Sequence, residues 1–325
     1  MKEHDIRPKG LFDEYLRLSS QDIASYFSKK RRVPIACPAC NQTQNQFAFK
    51  KNNFDFSQCV ECQTLYLSPR PPLDEFERYY SNSPSAQFWV KEFYPAVIES
   101  RRSKIFQPNV EKIRSICNTK RIEVKTIIDV GAGYGVFLEE WSKKEPQSKL
   151  IGIEPLHELS EICQIKGIDV IPSVVEKVDC LEKKADLVVC FEVIEHVHDP
   201  LLFVKVVRKM VAPGGIAIFT GLGVDGFDIQ LLWENSKSIF PPHHINFISI
   251  NGFHKLFKQA GFSEVEVITP GKLDVDIAFN NQEFLTNENR FIKTLLSRGE
   301  EALSELQSFL ARHQLSSHCW ILASN

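Results

Sequence analysis

The chain has 325 residues, 43% of them hydrophobic and 25% charged, which is enough apolar content for a sizeable core and argues against disorder. The formal net charge of −2 disfavours nucleic acid or an anionic membrane as partner, although the run Lys29, Lys30, Arg31, Arg32 is a local basic patch. The start MKEHDIRPKG has no apolar signal core and no later run reaches the length of a membrane span, so the expectation is a cytoplasmic protein without a membrane partner.

Residues 10–30 alternate apolar and polar positions at helical spacing, and an N-terminal helical segment is expected over 1–33. Nine cysteines in a long chain without a secretory leader do not suggest a disulfide framework. Four are organised: Cys37-Pro-Ala-Cys40 and Cys59-Val-Glu-Cys62, two C-x-x-C knuckles separated by 18 residues. That spacing suits a zinc ribbon over 34–72, in which two hairpin turns present four thiolates tetrahedrally and leave no open position, so the zinc would be structural. A redox C-x-x-C pair or idle thiols are the competing readings. FAFK and QTLYLS would be its β segments. Cys117, Cys163, Cys180, Cys190 and Cys319 sit in apolar surroundings and read as core residues. The run SPRPP closes the ribbon, and 73–122, rich in Phe, Trp and Tyr, reads as a helical linker or lid whose aromatics are first of all packing residues.

From residue 126 the chain reads TIIDVGAGYG, an apolar strand ending in Asp129 followed by Gly131, Gly133 and Gly135. A helix to about Lys143 would point its amide end at the same spot. A dinucleotide fingerprint needs G-x-G-x-x-G, whereas this is D-x-G-x-G-x-G. The pattern resembles the first motif of class I S-adenosylmethionine-dependent methyltransferases. The segments that follow keep the order. LIGIEP ends a second strand in Glu154 and Pro155, with Glu154 at the distance of a carboxylate that accepts from ribose hydroxyls. ADLVVCFEVIEHVHDP puts Phe191 and Glu192 at the end of a fourth strand, and LLFVKVVRKMVAPGGIAIFT supplies a helix, a Pro-Gly-Gly turn and a fifth strand. SEVEVITP and HCWILASN complete the sheet. The resemblance implies a Rossmann-like seven-stranded α/β sheet over 123–325, its last strand antiparallel, with a helical insertion at 271–315 built mostly of two helices. It also implies that Asp129, Gly131, Gly133, Gly135, Glu154, Pro155, Phe191 and Glu192 seat the cofactor.

Over nearly its whole length the chain is similar to bacterial methyltransferases that carry a four-cysteine zinc ribbon ahead of a class I domain, associated with surface polysaccharides and deoxysugars. CPAC, CVEC, LYLSPRPPLDEFERYY, DVGAGYG, EVIEHVHDP and PPHHINFIS carry that resemblance. Its pattern P-P-x-H-x-x-F-x-S falls on Pro241, Pro242, His244, Phe247 and Ser249. A hydroxyl acceptor must lose its proton, so His244 is the first candidate for a general base, followed by His243 and His196. Sugar C-methyltransferases have an acid-histidine pair in this loop; here it is His243-His244. The expected activity is methyl transfer to a small sugar-type acceptor, with oxygen favoured over nitrogen or carbon. An RNA methyltransferase gripping RNA with its ribbon, or a non-catalytic cofactor-binding partner, are the alternatives. Sequence alone gives no oligomeric state.

Overall fold

The computed structural model describes residues 1–325. Its strands, in chain order, are β1 (Asn45–Lys51), β2 (Phe54–Cys59), β3 (Leu65–Leu67), β4 (Thr126–Val130), β5 (Lys149–Ile153), β6 (Asp169–Ile171), β7 (Ala185–Phe191), β8 (Val211–Leu222), β9 (Asn246–Phe247), β10 (Glu264–Ile268) and β11 (His318–Ser324). They form a four-stranded sheet, β1-β2-β3-β9, and a seven-stranded sheet, β10-β11-β8-β7-β4-β5-β6. The chain folds as two compact units, one of residues 1–97, 221–253 and 267–320, the other of 98–220, 254–266 and 321–325.

In the first unit β1 and β2 make a hairpin closed by Asn52 and Asn53, both at positive φ. Asparagine tolerates that region, and a two-residue turn of this kind matches the twist of the strands it joins. Apolar residues on the sheet (Phe49, Phe54, Phe56, Leu65, Leu67, Phe247) share one core with Ile23, Phe27, Phe76 and Tyr79. The helix Lys9–Tyr26 sets Phe12 and Tyr15 against Phe93 and Val97. Segment 271–315 holds three α-helices, Asp274–Asn280, Arg290–Leu296 and Glu300–Arg312, one more than expected. The extra one has only 7 residues, too few to show a helical period, and is held by burial of Val275, Ile277 and Ala278.

The seven-stranded sheet has the expected plan, with the last strand antiparallel and helices around it. β4 lies between β5 and β7, paired parallel to each, with Ile128 opposite Ile151 and Val188. β7 and, on its far side, β8 are near-continuous apolar runs, with Leu187, Val188, Val189, Ile216, Ala217, Ile218 and Phe219 at 0–1% exposure, as strands covered on both faces must be. The seven-stranded plan requires a third strand between Glu154 and β7, and β6 fills that place with only three residues. After β7 the helix Pro200–Met210 starts with Asp199 as its cap, whose carboxylate accepts from the Leu202 amide, and proline in its first turn. Cys117, Cys163, Cys190 and Cys319 are buried, but Cys180 is exposed, contrary to the core reading. It lies among Asp179, Glu182, Lys183 and Lys184, all exposed, in the approach to β7. No helix is long and apolar enough to cross a membrane.

Candidate active site

In an open parallel sheet, ligands bind beyond the carboxyl ends of the strands where the winding reverses. The order β7-β4-β5 puts that point at the end of β4, where the glycine loop begins. Gly131, Gly133 and Gly135 all have φ between 54° and 76°, a region that β-carbons penalise. The space around them differs. A Cβ on Gly135 would stand 2.7 Å from Ile168 Cδ1 and 2.9 Å from Cys163 Sγ, and one on Gly131 2.7 Å from Val193 Cγ2, whereas one on Gly133 would meet nothing within 4 Å. Gly131 and Gly135 are therefore packed against protein, and Gly133 faces open space. The Gly131 and Ala132 amides both donate to the Ile153 carbonyl, tying the loop to the end of β5.

Glu154 follows β5 and is 5% exposed. One carboxylate oxygen accepts from the Gly133 amide at 2.8 Å and the other from the Leu156 amide at 2.9 Å. Burial pushes its acidity down, and those two amides oppose the shift. Each oxygen keeps a second lone pair for a further donor such as a ribose hydroxyl. Pro155, beside it, is exposed. Asp129 is 2% exposed and its Oδ1 has no hydrogen-bond partner. Burial and then the Glu154 charge push its pKa up to about 8, which favours the neutral acid at pH 7. A buried acceptor without a donor, a carboxylate with lone pairs to spare and an open glycine face suit S-adenosylmethionine, which brings ribose hydroxyls and positive charge.

Phe191 ends β7 and packs edge-on against Phe137, ring centroids 4.7 Å apart, and against Phe106 at 6.4 Å. Phe106 ends a π-helical segment, Arg102–Phe106, a distortion often found at functional sites. Glu192 has φ 55°. Its amide donates to the Thr220 carbonyl and lies within 3.1 Å of Thr220 Oγ1, which donates back to Glu192 Oε1 at 2.6 Å. Half-buried His196 follows in the same turn, its amide bonded to the Val193 carbonyl. Asp129, Gly131, Gly133, Gly135 and Glu154 thus lie on one strand-end loop and its neighbour, with Phe191 and Glu192 ending β7.

His243 and His244 belong to the first unit, on the loop ahead of β9. The two rings are 5.1 Å apart. His244 Nδ1 lies 2.7 Å from the Ser238 carbonyl oxygen. A carbonyl can only accept, so Nδ1 carries the proton in this bond and neutral His244 presents Nε2 as the basic nitrogen. His243 sits among Tyr15, Tyr80 and Trp89, with ring centroids 5.7, 5.7 and 6.2 Å away, and its carbonyl accepts from the Tyr80 hydroxyl at 3.0 Å. Trp89 opens the π-helical segment Trp89–Phe93. Sequence reading did not single out Ser238, Thr220 or Tyr80: Ser238 acts through its carbonyl, Thr220 through its carbonyl and hydroxyl, and Tyr80 through its hydroxyl.

The sulfurs of Cys37, Cys40, Cys59 and Cys62 all lie within 4.8 Å of one another and all four residues are buried. Cys37 and Cys62 are 3.5 Å apart, as are Cys40 and Cys59. A tetrahedral zinc with bonds of about 2.3 Å places its sulfurs about 3.8 Å apart, within that range. The two knuckles repeat one backbone pattern. The Asn41 and Gln63 amides donate to the Cys37 and Cys59 carbonyls, the Cys37 and Cys59 amides donate to Gln42 and Thr64, and Asn41 and Gln63 both have positive φ. The cluster can hold a metal ion with no position left for substrate.

A sequence profile of the family described as "Methyltransferase domain" matches residues 98–267. The chain is 31% identical over 121 residues to the ubiquinone biosynthesis O-methyltransferase of Hydrogenovibrio crunogenus, covering 35% of this chain and 49% of that protein. It is 27% identical over 165 residues to the tRNA U34 carboxymethyltransferase of Campylobacter lari, covering 48% and 56%. The chain therefore spans about half the length of the curated relatives it matches. Among solved structures it is similar to the plantazolicin methyltransferase BpumL in complex with SAH, with a TM-score of 0.51 and 14% identity, covering 77% of this chain and 94% of that one, a likeness of fold.

Proposed function

Because the chain belongs to the methyltransferase-domain family, we propose that it moves a methyl group from S-adenosylmethionine to a hydroxyl of a small, sugar-derived acceptor such as a nucleotide sugar or glycan precursor. The observation that carries the choice of oxygen is His244, whose Nδ1 is committed to the Ser238 carbonyl, so that the neutral ring has its lone pair on Nε2. The H. crunogenus relative, named as an O-methyltransferase, supports the same atom.

When bound, S-adenosylmethionine supplies a methyl carbon activated by its positively charged sulfur. Glu154 would accept from the cofactor's ribose hydroxyls, Gly133 and Gly135 would shape the loop that receives it, and Phe191 would line its site. Asp129 gives up its proton beside the cofactor's charge. His244 would take the acceptor hydroxyl's proton on Nε2 as that oxygen is methylated. His243 and His196 serve the acceptor side. Positioning and exclusion of water supply most of the rate, since an in-line displacement needs no covalent help. In this reading residues 34–72 are a zinc ribbon held by Cys37, Cys40, Cys59 and Cys62, residues 1–33 and 73–122 its helical surroundings, 123–325 the catalytic domain, and the site of action the cytoplasm.

The C. lari relative, named for a tRNA nucleoside, favours RNA as the second reading. The test is transfer of labelled methyl from S-adenosylmethionine into source-cell extract separated into nucleotide-sugar, glycan, RNA and protein fractions. Label in a sugar fraction supports the proposal. Label in RNA overturns it.

A further inference from the structure

The four-cysteine cluster and the histidine loop are covalently distant but share one hydrogen-bonded network inside the first unit. β3, which begins three residues after Cys62, pairs antiparallel with β9, Leu65 opposite Phe247 and Tyr66 opposite Asn246. The Leu67 amide donates to the Ile245 carbonyl at 2.9 Å, one residue past His244. Arg70, 1% exposed, donates to Asn246 Oδ1 at 2.6 Å from the same side.

Two buried hydroxyls complete the connection. Thr64 Oγ1 lies 3.3 Å from Cys62 Sγ and accepts from the Ser249 amide at 3.2 Å. Ser249, 2% exposed, donates its hydroxyl to the Cys62 carbonyl and accepts from the Gly252 amide at 2.8 Å, capping the helix Ile250–Ala260. Each hydroxyl has one proton. Ser249 spends its proton on the Cys62 backbone, and Thr64, with its acceptor side used by Ser249, has its proton free for the Cys62 sulfur once that sulfur is a metal-bound thiolate. There is no slack here, since a Cβ on Gly252 would collide with Thr64 Oγ1.

We propose that Thr64 and Ser249 are positioning residues that couple the four-cysteine site to the loop of His243 and His244, so that a metal on the cysteines fixes where His244 stands. The consequence for turnover rests on the reading of His244 as the base; the coupling itself does not. A second consequence is that removing the metal lowers turnover without touching cofactor affinity, because none of these groups belongs to the glycine loop.

The test uses the full zinc-loaded chain and its variants Thr64→Val, Thr64→Ser and Ser249→Ala, read by backbone hydrogen exchange over 245–252, zinc content, S-adenosylmethionine affinity and kcat. Thr64→Val and Ser249→Ala are expected to keep the zinc and the cofactor affinity, to speed exchange over 245–252 by roughly tenfold, as loss of one buried hydrogen bond implies, and to lower kcat by a similar factor. Thr64→Ser should restore both, and chelation of the unmodified protein should reproduce the fast exchange. Unchanged exchange over 245–252 in both variants and after chelation overturns the coupling. His244→Ala, assayed beside them, separates the two ideas: normal turnover in that variant removes the base, while the exchange result alone decides the coupling.

Discussion

His244 Nδ1 stands 2.7 Å from the Ser238 carbonyl oxygen, and that single contact assigns the ring's two nitrogens different jobs. A carbonyl only accepts, so Nδ1 carries a proton there and the neutral ring has its lone pair on Nε2. Replacing His244 with Ala should lower kcat by about 10²- to 10⁴-fold, the usual contribution of a positioned base, with S-adenosylmethionine affinity unchanged by calorimetry. Loss of affinity with normal turnover would assign the residue to binding instead.

Glu154 already holds two backbone amides with its two oxygens. Glu154→Gln keeps the shape but turns one acceptor into a donor that faces an amide N–H. Cofactor affinity should fall by about tenfold or more, as for loss of a charged hydrogen bond, while the variant, once saturated with cofactor, keeps most of its kcat. A matched fall in kcat at saturation would show that Glu154 also acts in the transition state.

Asp129 has its pKa raised to about 8, by burial first and the Glu154 charge second. The folded value lies above the ordinary one. The stability linked to this group is therefore complete below about pH 4, is lost progressively as pH rises through 8, and is absent above. Asp129→Asn should flatten that loss, so its melting temperature in the absence of cofactor falls less between pH 6 and 9 than the parent's. By the same linkage, binding a cationic cofactor at pH 7 should release a proton, visible as a buffer-dependent binding enthalpy. An enthalpy independent of buffer ionisation would mean that Asp129 keeps its proton.

The glycines separate fold from ligand. Gly135→Ala drives a methyl into Ile168 and Cys163 at a positive φ and should cost about 1–3 kcal/mol of stability. Gly133→Ala meets no protein atom. It should cost only about 1 kcal/mol, from the backbone alone, yet weaken cofactor binding, because the added methyl stands where a ligand would. Denaturant titration and calorimetry on both variants check the contrast.

The glycine loop, the cysteine knuckles and the order of the large strands were legible because each is local: a turn that favours glycine, a paired C-x-x-C spacing that suits four converging thiols, an apolar run bounded by breakers. What escaped depends on tertiary partners. β9 is two residues long and exists because β3 lies beside it. Ser238 matters through its carbonyl, which every residue has. Cys180 is a different case, since the charged neighbours Asp179, Glu182, Lys183 and Lys184 that leave it exposed stand beside it in the sequence, whereas Cys190 lies in an apolar strand. Helix Asp274–Asn280 is too short for its period to show.

Thr220 and Glu192 make the last testable contact. A glutamate at φ 55° carries a backbone cost of about 1–2 kcal/mol. The structure offsets it with the Thr220 carbonyl accepting from the Glu192 amide and the Thr220 hydroxyl donating to the Glu192 carboxylate. Thr220 is 2% exposed, so Thr220→Val keeps the buried volume and removes only the hydroxyl. The variant should lose about 1–2 kcal/mol of stability, and S-adenosylmethionine affinity should drop with it if Glu192 contacts the cofactor. Glu192→Gly relieves the strained backbone without restoring the carboxylate, so it should recover stability in the Thr220→Val background while leaving affinity low. Recovery of both would show that the pair serves the turn alone.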